Sequence, residues 1–243
     1  MIIQKYGGIA MQDHQSRQLI IKHIQKAMRN HEQVLVVVSA MGRRGQHYST
    51  DSLLDLIPTT LSSVESDLLS ACGELISASV LCAELKKGGI NTTVLYGQNA
   101  GIITNEAYGN ANIIDVNTNI LNSTFNDFPC IIVPGFQGIS EKTHNFTTLG
   151  RGGSDFTAVV YGHHLKAEVV EFYKNVPGVM TSDPSTNQTV ELIPVMSYEE
   201  LQTIISAPVE IIQKRAAKFA ALYKVPLHIR SLYEEEDGTF VFH

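Results

Sequence analysis

Two apolar runs, separated by a glycine pair and a helical pattern, constrain the fold of this chain most strongly. Residues 1–6 predict a short strand that Gly7 and Gly8 end. Apolar residues then recur at helical spacing over residues 12–29. Residues 33–39 form a continuous β-branched run, which is typical of a strand buried on both faces of a parallel sheet. This order predicts a βαβ unit, and such sheets bind ligands beyond the carboxyl ends of their strands.

Lys5 lies at the end of the first predicted strand, directly before Tyr6, Gly7 and Gly8. A lysine there can act as a point charge on phosphates that approach the glycine backbone closely. A solvated lysine beside a turn is the alternative, and the position alone does not decide between them.

A glycine-rich turn, Gly150-Arg151-Gly152-Gly153-Ser154, follows the apolar run 130–138 and precedes a helix predicted over residues 155–161. Bare backbone N–H groups at a helix N-terminus favour an anion. Arg151 could hold a carboxylate or a phosphate with two hydrogen bonds. Asp155 can cap the helix or face a bound cation. The alternative is an ordinary capped turn without a ligand.

The rest of the chain alternates helices and strands. Helices are predicted over residues 49–56, 62–86, 197–205 and 209–223, and strands over 91–96, 112–116, 129–133, 167–173, 226–231 and 239–242. Residues 41–48, 97–108 and 174–184 are predicted loops, and residues 138–150 a small hairpin over the site. Alternation throughout predicts an α/β fold with a mostly parallel sheet and helices on both faces.

Composition excludes several classes of protein. The net charge of −6 argues against a nucleic-acid partner, because no basic stripe is present to neutralise phosphates. The three cysteines lack metal-ligand spacing, so we expect buried free thiols and no metal site. The apolar runs are too short for a membrane span, and the opening strand leaves no room for a signal peptide. We therefore expect a cytoplasmic globular protein without a membrane partner.

Six ordered motifs across residues 1–243 resemble the catalytic domain of the aspartokinases, within the amino acid kinase superfamily. They are Lys5-Tyr6-Gly7-Gly8, Val36-Val37-Val38-Ser39-Ala40-Met41-Gly42, Gly73-Glu74, Pro134-Gly135-Phe136-Gln137-Gly138, Thr148 to Asp155, and Val176 to Pro184. Any one of these motifs would be weak evidence, but together and in order they are specific.

The resemblance implies a three-layer α/β/α sandwich that phosphorylates the side-chain carboxylate of L-aspartate with ATP and Mg²⁺, in a pathway such as lysine biosynthesis. It implies one kinase domain over residues 1–243. The amino-acid site would lie in the N-terminal lobe and the nucleotide site in the part from about residue 165. It also implies a homodimer. The ACT regulatory domains of the family are not expected within these residues, nor is feedback control through them.

The resemblance also implies a role for each matching residue. Lys5 and Asp155 would be catalytic, with Asp155 orienting the lysine. Ser39, Glu74, Arg151 and Gly152 would bind the amino acid, with Glu74 near its ammonium and Arg151 on its α-carboxylate. The nucleotide would be held by Gly7, Gly8, Tyr173, Lys174, Asn175, Gly178, Met180, Asp183, Pro184 and Glu210. Phosphoryl transfer depends mostly on positioning and charge neutralisation, which agrees with this set of residues.

Several positions depart from the family pattern. Ile9 and Ala10 replace two hydroxyl residues beside the phosphate loop, Lys174-Asn175 replaces Thr-Asp, and Glu210 aligns with a lysine. The charge changes in the last three positions cancel, which suggests compensation within one pocket, such as a pair between Lys174 and Glu210. A pair between Glu210 and Lys214, one helical turn later, is the alternative.

These departures leave three functional hypotheses. The first is an active aspartate kinase, and the second is a related amino acid kinase with a shifted substrate. The third is a pseudokinase or binding subunit that retains amino-acid recognition but turns over poorly. Separate titrations with aspartate and MgATP would distinguish the third from the others.

Overall fold

The structure, a computed structural model, describes residues 1–58, 63–181, 191–204, 211–234 and 237–242. Its strands are β1 (Ile2–Tyr6), β2 (Val34–Val38), β3 (Thr92–Val94), β4 (Ile102–Thr104), β5 (Ile113–Val116), β6 (Cys130–Pro134), β7 (Gln137–Ser140), β8 (Phe146–Thr148), β9 (Val170–Lys174), β10 (Val195–Met196), β11 (Leu227–Ser231) and β12 (Thr239–Val241). Its helices are α1 (Gly8–Met11), α2 (His14–Asn30), α3 (Thr50–Leu54), α4 (Val64–Lys87), α5 (Asn119–Thr124), α6 (Gly153–His164), α7 (Tyr198–Ile204) and α8 (Lys214–Tyr223).

The main sheet has eight strands in the order β10-β12-β11-β9-β1-β2-β6-β3. β11 and β12 pair antiparallel, while the other neighbours in this order are parallel. β1 lies between β2 and β9, with Tyr6 in register with Val38 and Tyr173. The carboxyl ends of these three strands therefore meet at one edge of the sheet.

Alternating side chains of the central strands enter two separate cores. Val34, Val36 and Val38 pack in one core with residues of α2 and α4. Leu35 and Val37 pack in the other core, with residues of α6, α7 and α8. Burial of all five residues of β2 explains why this strand is apolar without interruption. The result is the expected three-layer α/β/α sandwich.

A second, four-stranded sheet in the order β5-β4-β7-β8 stands beside the main sheet. Its β7–β8 hairpin pairs Gln137 with Thr148 and confirms the hairpin predicted over residues 138–150. β7 comes almost directly after β6, so the hairpin lies beyond the carboxyl end of a central strand. The glycine-rich turn follows β8 of this sheet and leads into α6.

Several sequence-based assignments are wrong, and the strand predicted over residues 167–173 begins only at Val170. Residues 97–108 are not only a loop, because they contain a 3₁₀ turn, Gly97–Ala100, and strand β4. The last helix begins at Lys214 rather than near residue 209, since the Gln213 side chain accepts the Ala216 N–H and caps it there. Residues 205–210 lie outside the described residues. The predicted thiols are also only partly correct, because Cys82 and Cys130 are buried but Cys72 is partly exposed.

Helix α4 is long and apolar enough to cross a membrane by length and composition, and half of its most apolar window is buried inside the protein. Its N-cap is Ser63, whose hydroxyl accepts the Ser66 N–H. Ala78, Leu81 and Leu85 of this helix pack in the core of the α2 face. Glu74 lies on the same helix, more than two turns after its first residue.

Candidate functional site

Lys5 and Asp155 form a buried ion pair at the carboxyl edge of the sheet. Lys5 is fixed by its position in β1, where its backbone is in register with Val37 on one side and Phe172 on the other. Its Nζ lies 2.6 Å from Asp155 Oδ1, and both side chains are less than one-tenth exposed. Asp155 stands in the first turn of α6, immediately after the glycine-rich turn. Lys5 and Asp155, the two residues predicted to be catalytic, are thus in direct contact although they are far apart in the chain.

A second lysine reaches the same carboxylate. Lys174 Nζ, at the end of β9, lies 3.4 Å from Asp155 Oδ2, which also accepts the Gln213 N–H at 3.3 Å. Burial alone would raise the pKa of Asp155, but Lys174 and then Lys5 outweigh it and hold the pKa at about 2. Asp155 is therefore an anion that orients two ammonium groups, and it is not available as a proton acceptor at neutral pH.

Gly8 makes the close approach of two strand ends possible. A Cβ at Gly8 would lie 2.5 Å from the Gly42 carbonyl oxygen and 2.8 Å from that of Ala40. A Cβ at Gly7 would lie 3.6 Å from Lys5 Nζ. Side chains are therefore excluded at Gly8, and the backbone that follows β1 stays open beside the lysine.

Glu74 has one carboxylate oxygen without a partner among the described residues. Its Oε1 accepts the Ala40 N–H at 3.0 Å, whereas the buried Oε2 has no hydrogen bond. Burial raises the pKa of Glu74 to about 8, against the opposing effects of the Ala40 bond and Lys5. Gly73 lets α4 approach this closely, because a Cβ there would lie 2.8 Å from Ala40 Cβ. An orphaned buried carboxylate oxygen is the polar partner that an ammonium group needs.

Arg151 extends from a turn whose conformation favours glycine at two positions. Gly150 and Gly152 have φ of 78° and 72°, the left-handed region that disfavours other residues. A Cβ at Gly152 would also lie 2.4 Å from Gln213 Cγ. The Arg151 side chain between these glycines is exposed and borders the same cavity as Lys5 and Glu74.

A cavity of about 690 Å³ brings together all of the predicted catalytic and amino-acid-binding residues. Its lining includes Lys5, Gly8, Ser39, Glu74, Arg151, Gly152 and Asp155. A smaller cavity of about 190 Å³ adjoins it at Gly8 and is lined by Gly7, Tyr173, Lys174 and Asn175. The first cavity holds the predicted amino-acid and catalytic residues, and the second holds part of the predicted nucleotide set.

Other predicted nucleotide residues do not line either cavity. Gly178 packs against β12, where a Cβ would lie 2.6 Å from Thr239 Oγ1. Met180 makes an antiparallel bridge with Leu192. Tyr173, although it borders the second cavity, is almost fully buried, stacks on Tyr6 at 4.8 Å and donates its hydroxyl to Glu171 at 2.9 Å. The tyrosine therefore presents little surface to a ligand.

Three predicted nucleotide residues, Asp183, Pro184 and Glu210, lie outside the described residues. The hypothesis that Glu210 pairs with Lys174 or with Lys214 therefore stays a prediction. What the structure adds is the contact of Lys174 with Asp155, which the sequence did not indicate.

Sequence reasoning missed several residues that border the larger cavity. Thr50 and Asp51 begin α3, and Ser49 caps that helix by accepting the Ser52 N–H. Asp67 lies on α4 seven residues before Glu74. This spacing of two helical turns was the available signal, since it places both carboxylates on one helix face. Across the described ranges, no group of three or more His, Cys, Asp or Glu side chains could hold a metal ion.

Comparisons of sequence agree with the geometry. The sequence model described as the amino acid kinase family matches residues 1–231. Aspartokinase 1 of Bacillus subtilis (strain 168) is 39% identical over 99% of this chain and 60% of its own length. The aspartokinase of Geobacillus stearothermophilus is 38% identical over 99% of this chain and 58% of its own length. The chain thus spans about 60% of the length of these curated relatives.

Comparisons of structure give the same fold. The crystal structure of aspartate kinase from Synechocystis superposes with a TM-score of 0.83 at 32% identity, covering 100% of this chain and 40% of that chain. Escherichia coli aspartokinase III in complex with aspartate and ADP has a TM-score of 0.81 at 20% identity, covering 100% of this chain and 64% of that chain. Uridylate kinase from Archaeoglobus fulgidus, with a TM-score of 0.66 at 18% identity, covers 99% of both chains. The last two likenesses concern the fold alone. By its sequence match over residues 1–231, this chain belongs to the amino acid kinase family.

Proposed function

We propose that this chain catalyses the ATP-dependent phosphorylation of the side-chain carboxylate of L-aspartate, giving 4-phospho-L-aspartate. One observation carries the proposal. The orphaned Glu74 oxygen, the exposed Arg151 and the Lys5–Asp155 pair all border one cavity. An α-amino acid with a second carboxylate offers an ammonium, an α-carboxylate and a reacting carboxylate to these three groups. E. coli aspartokinase III, which shares the fold, binds aspartate and ADP.

The amino-acid end of the substrate is recognised by charge. Glu74 Oε2 accepts hydrogen bonds from the ammonium, and the Arg151 guanidinium forms two bonds with the α-carboxylate. Ser39, directly after β2, and the Gly152 backbone complete this half of the site. With Glu74 on the ammonium and Arg151 on the α-carboxylate, the side-chain carboxylate would be directed toward Lys5, which lines the same cavity.

The phosphoryl end of the site is cationic and pre-oriented. The side-chain carboxylate of aspartate attacks the γ-phosphorus, and the ADP oxygen leaves. Lys5 donates to the oxygens of the transferred group, while Lys174 faces the nucleotide side at the second cavity. Asp155 keeps both ammonium groups in place without accepting a proton, as its low pKa requires. A carboxylate nucleophile has no proton to lose, so this reaction needs no general base.

Mg²⁺ fits this site as a partner of the nucleotide. Magnesium typically keeps several waters and is bound through one or two carboxylates together with substrate phosphates. The residues described here include no ready-made cluster of metal ligands, and Asp155 is already paired with two lysines. We infer that Mg²⁺ enters with ATP, where it would neutralise phosphate charge.

The same proposal covers the remaining expectations from the family resemblance. We infer a single kinase domain over residues 1–243, a homodimer, a cytoplasmic location and a role in aspartate-derived amino-acid biosynthesis such as that of lysine. The oligomeric state is checked by light scattering of the eluting protein, where a mass near twice 26.7 kDa is expected.

A coupled assay that follows ADP release, run across a panel of amino acids with MgATP, tests the function. Aspartate-dependent turnover is expected, with an acyl phosphate trapped by hydroxylamine. Turnover with a different amino acid would identify a related kinase with a shifted substrate. Binding of aspartate without MgATP binding or turnover would instead identify a pseudokinase, which the substitutions Ile9, Ala10 and Glu210 make a real alternative.

A further inference from the structure

We propose that Asp67 is a positioning residue that holds the Arg151 turn in place for the amino acid; this inference deepens the proposed function and rests on it. Asp67 is a carboxylate on α4 that the catalytic scheme above does not use. It is only 2% exposed, yet it has no basic partner among the ion pairs of the described residues. Such a buried charge needs another source of compensation.

Hydrogen bonds from two separate segments supply that compensation. Thr148 donates its backbone N–H to Asp67 Oδ2 at 2.7 Å and its hydroxyl to Oδ1 at 2.9 Å. The Gly109 N–H lies 2.9 Å from Oδ1 and 3.0 Å from Oδ2, so both oxygens share it. Three donors, one of them shared between the two oxygens, thus satisfy both oxygens of the carboxylate. Asp67 therefore has little capacity left to bind a ligand directly, although it borders the cavity.

The Thr148 segment enters the turn that carries Arg151, and the Gly109 segment packs against that turn. Thr148 ends β8 and stands two residues before Gly150. Gly109 precedes Asn110, whose Oδ1 lies only 2.7 Å from where a Gly150 Cβ would be. The two segments are also joined to each other, since the Ala111 N–H donates to the Thr148 carbonyl at 2.8 Å. One carboxylate thus fixes the strand that enters the turn and the loop that packs against it.

Asp67 and Glu74 lie on the same helix, α4, and so link the two groups that recognise the amino acid. Glu74 follows on the same helix after two turns, about 10 Å along the axis. Helix α4 therefore presents Glu74 to the ammonium of the substrate and anchors, through Asp67, the turn that presents Arg151 to the α-carboxylate. The spacing between the two recognition groups is set by one rigid element, so loss of the Asp67 contacts should disturb amino-acid binding more than nucleotide binding.

Two substitutions at this position separate geometry from charge. Asp67→Ala removes every acceptor. Asp67→Asn keeps an oxygen for the Thr148 and Gly109 N–H groups, and its amide can donate to the Thr148 hydroxyl, which is also able to accept. Asp13→Ala is the matched control, because Asp13 accepts the Ser16 N–H as the N-cap of α2 and borders neither cavity.

Titration calorimetry of each variant with aspartate and, separately, with MgATP tests the proposal. We expect Asp67→Ala to weaken aspartate binding by at least about tenfold, with MgATP affinity within about threefold of wild type. Asp67→Asn and Asp13→Ala should both stay within about threefold for either ligand. Hydrogen exchange should become faster at residues 148–153 in Asp67→Ala and stay unchanged in the other two.

Each contrary outcome is informative. Wild-type aspartate affinity in a folded Asp67→Ala protein would overturn the proposal, and so would an Asp67→Asn protein as weak as Asp67→Ala, since charge would then be the cause. If Asp67→Ala fails to fold, Thr148→Val, which deletes only the hydroxyl donor, must still weaken aspartate binding and speed exchange at residues 149–153, or the proposal is rejected. Absence of aspartate binding by the wild type would refute the proposed function instead, while the exchange measurement would continue to test the anchoring role of Asp67.

Discussion

Replacing Glu74 by glutamine should make the unliganded protein more stable at neutral and alkaline pH, and weaken its binding of the amino acid. The pKa of this carboxyl rises from an ordinary value of 4.5 to about 8, chiefly through burial. Because the folded-state pKa is raised, the folded protein binds the proton more tightly than the unfolded chain does. The stability that this proton contributes is fully present below pH 4.5 and is lost as pH rises through about 8.

The magnitude follows from the pKa difference. At about 1.4 kcal/mol per pKa unit, the free energy of unfolding of the wild type should fall by as much as about 5 kcal/mol, relative to the variant, between pH 4.5 and pH 8. The glutamine side chain has no such titration, and its oxygen can still accept the Ala40 N–H that Glu74 Oε1 accepts now. The variant and the wild type should therefore have similar stabilities near pH 5 and differ increasingly toward pH 8.

Urea unfolding at several pH values, without ligands, measures this difference. A difference in the free energy of unfolding that is constant from pH 5 to pH 8.5 would refute the assignment of a raised pKa to Glu74. Aspartate titrations provide the functional counterpart. Wild-type affinity should increase as pH approaches about 8, since the carboxyl must lose its proton to bind an ammonium, whereas the variant should bind weakly at every pH.

Three further substitutions test the charged groups of the site. Arg151→Ala should cost about 2–5 kcal/mol of aspartate binding, with an unchanged free energy of unfolding because the side chain is exposed; unchanged affinity in calorimetry would contradict the assignment. Lys5→Ala should lower kcat by about 10²–10³, whereas Lys22→Ala, an exposed lysine on α2, should leave steady-state kinetics as they are; equal effects would remove Lys5 from the site. If Glu210 faces the phosphates, Glu210→Lys should improve MgATP affinity by up to roughly 6 kcal/mol, because it replaces a repulsion of about 3 kcal/mol, for unit charges at about 6 Å and an effective dielectric of about 20, with an attraction of the same size. Lys174→Thr should weaken MgATP binding. Changes well under tenfold, with strict additivity in the double variant, would place Glu210 on a solvated surface.

The sequence predicted the main sheet well because its signals are local and strong. The unbroken run of β2 indicated burial on both faces, and Val34 to Val38 are all buried. The second sheet was harder to predict, since β4 has three residues and β8 has three, too few for a period to be measured. Pairing with distant strands, rather than the local pattern, makes these segments extended. For this reason the local sequence of residues 97–108 predicts a loop, although the segment contains β4.

In the candidate site too, residues within local motifs could be predicted, whereas contacts between remote elements could not. Lys5, Glu74 and Arg151 stand in motifs that could be recognised, and the structure brings all three to one cavity. The Lys174–Asp155 contact and the Asp67 anchor depend on the relative placement of remote elements, which no local pattern encodes. The substitutions above test the roles assigned to these residues.

The placement of β1 between β2 and β9 has a consequence for how the protein is made. Gln4 and Glu171 contact each other across the sheet although 167 residues separate them in the chain. Closing so large a loop is entropically costly, and contacts of this range slow folding. A nascent chain that has formed only the β1–β2 pair has its lysine in place but lacks both the carboxylate and the second lysine that orient around it. Competence to bind both ligands should therefore arise only after α6 and β9 have been added, and ligand binding can report that β1 has gained both of its neighbouring strands.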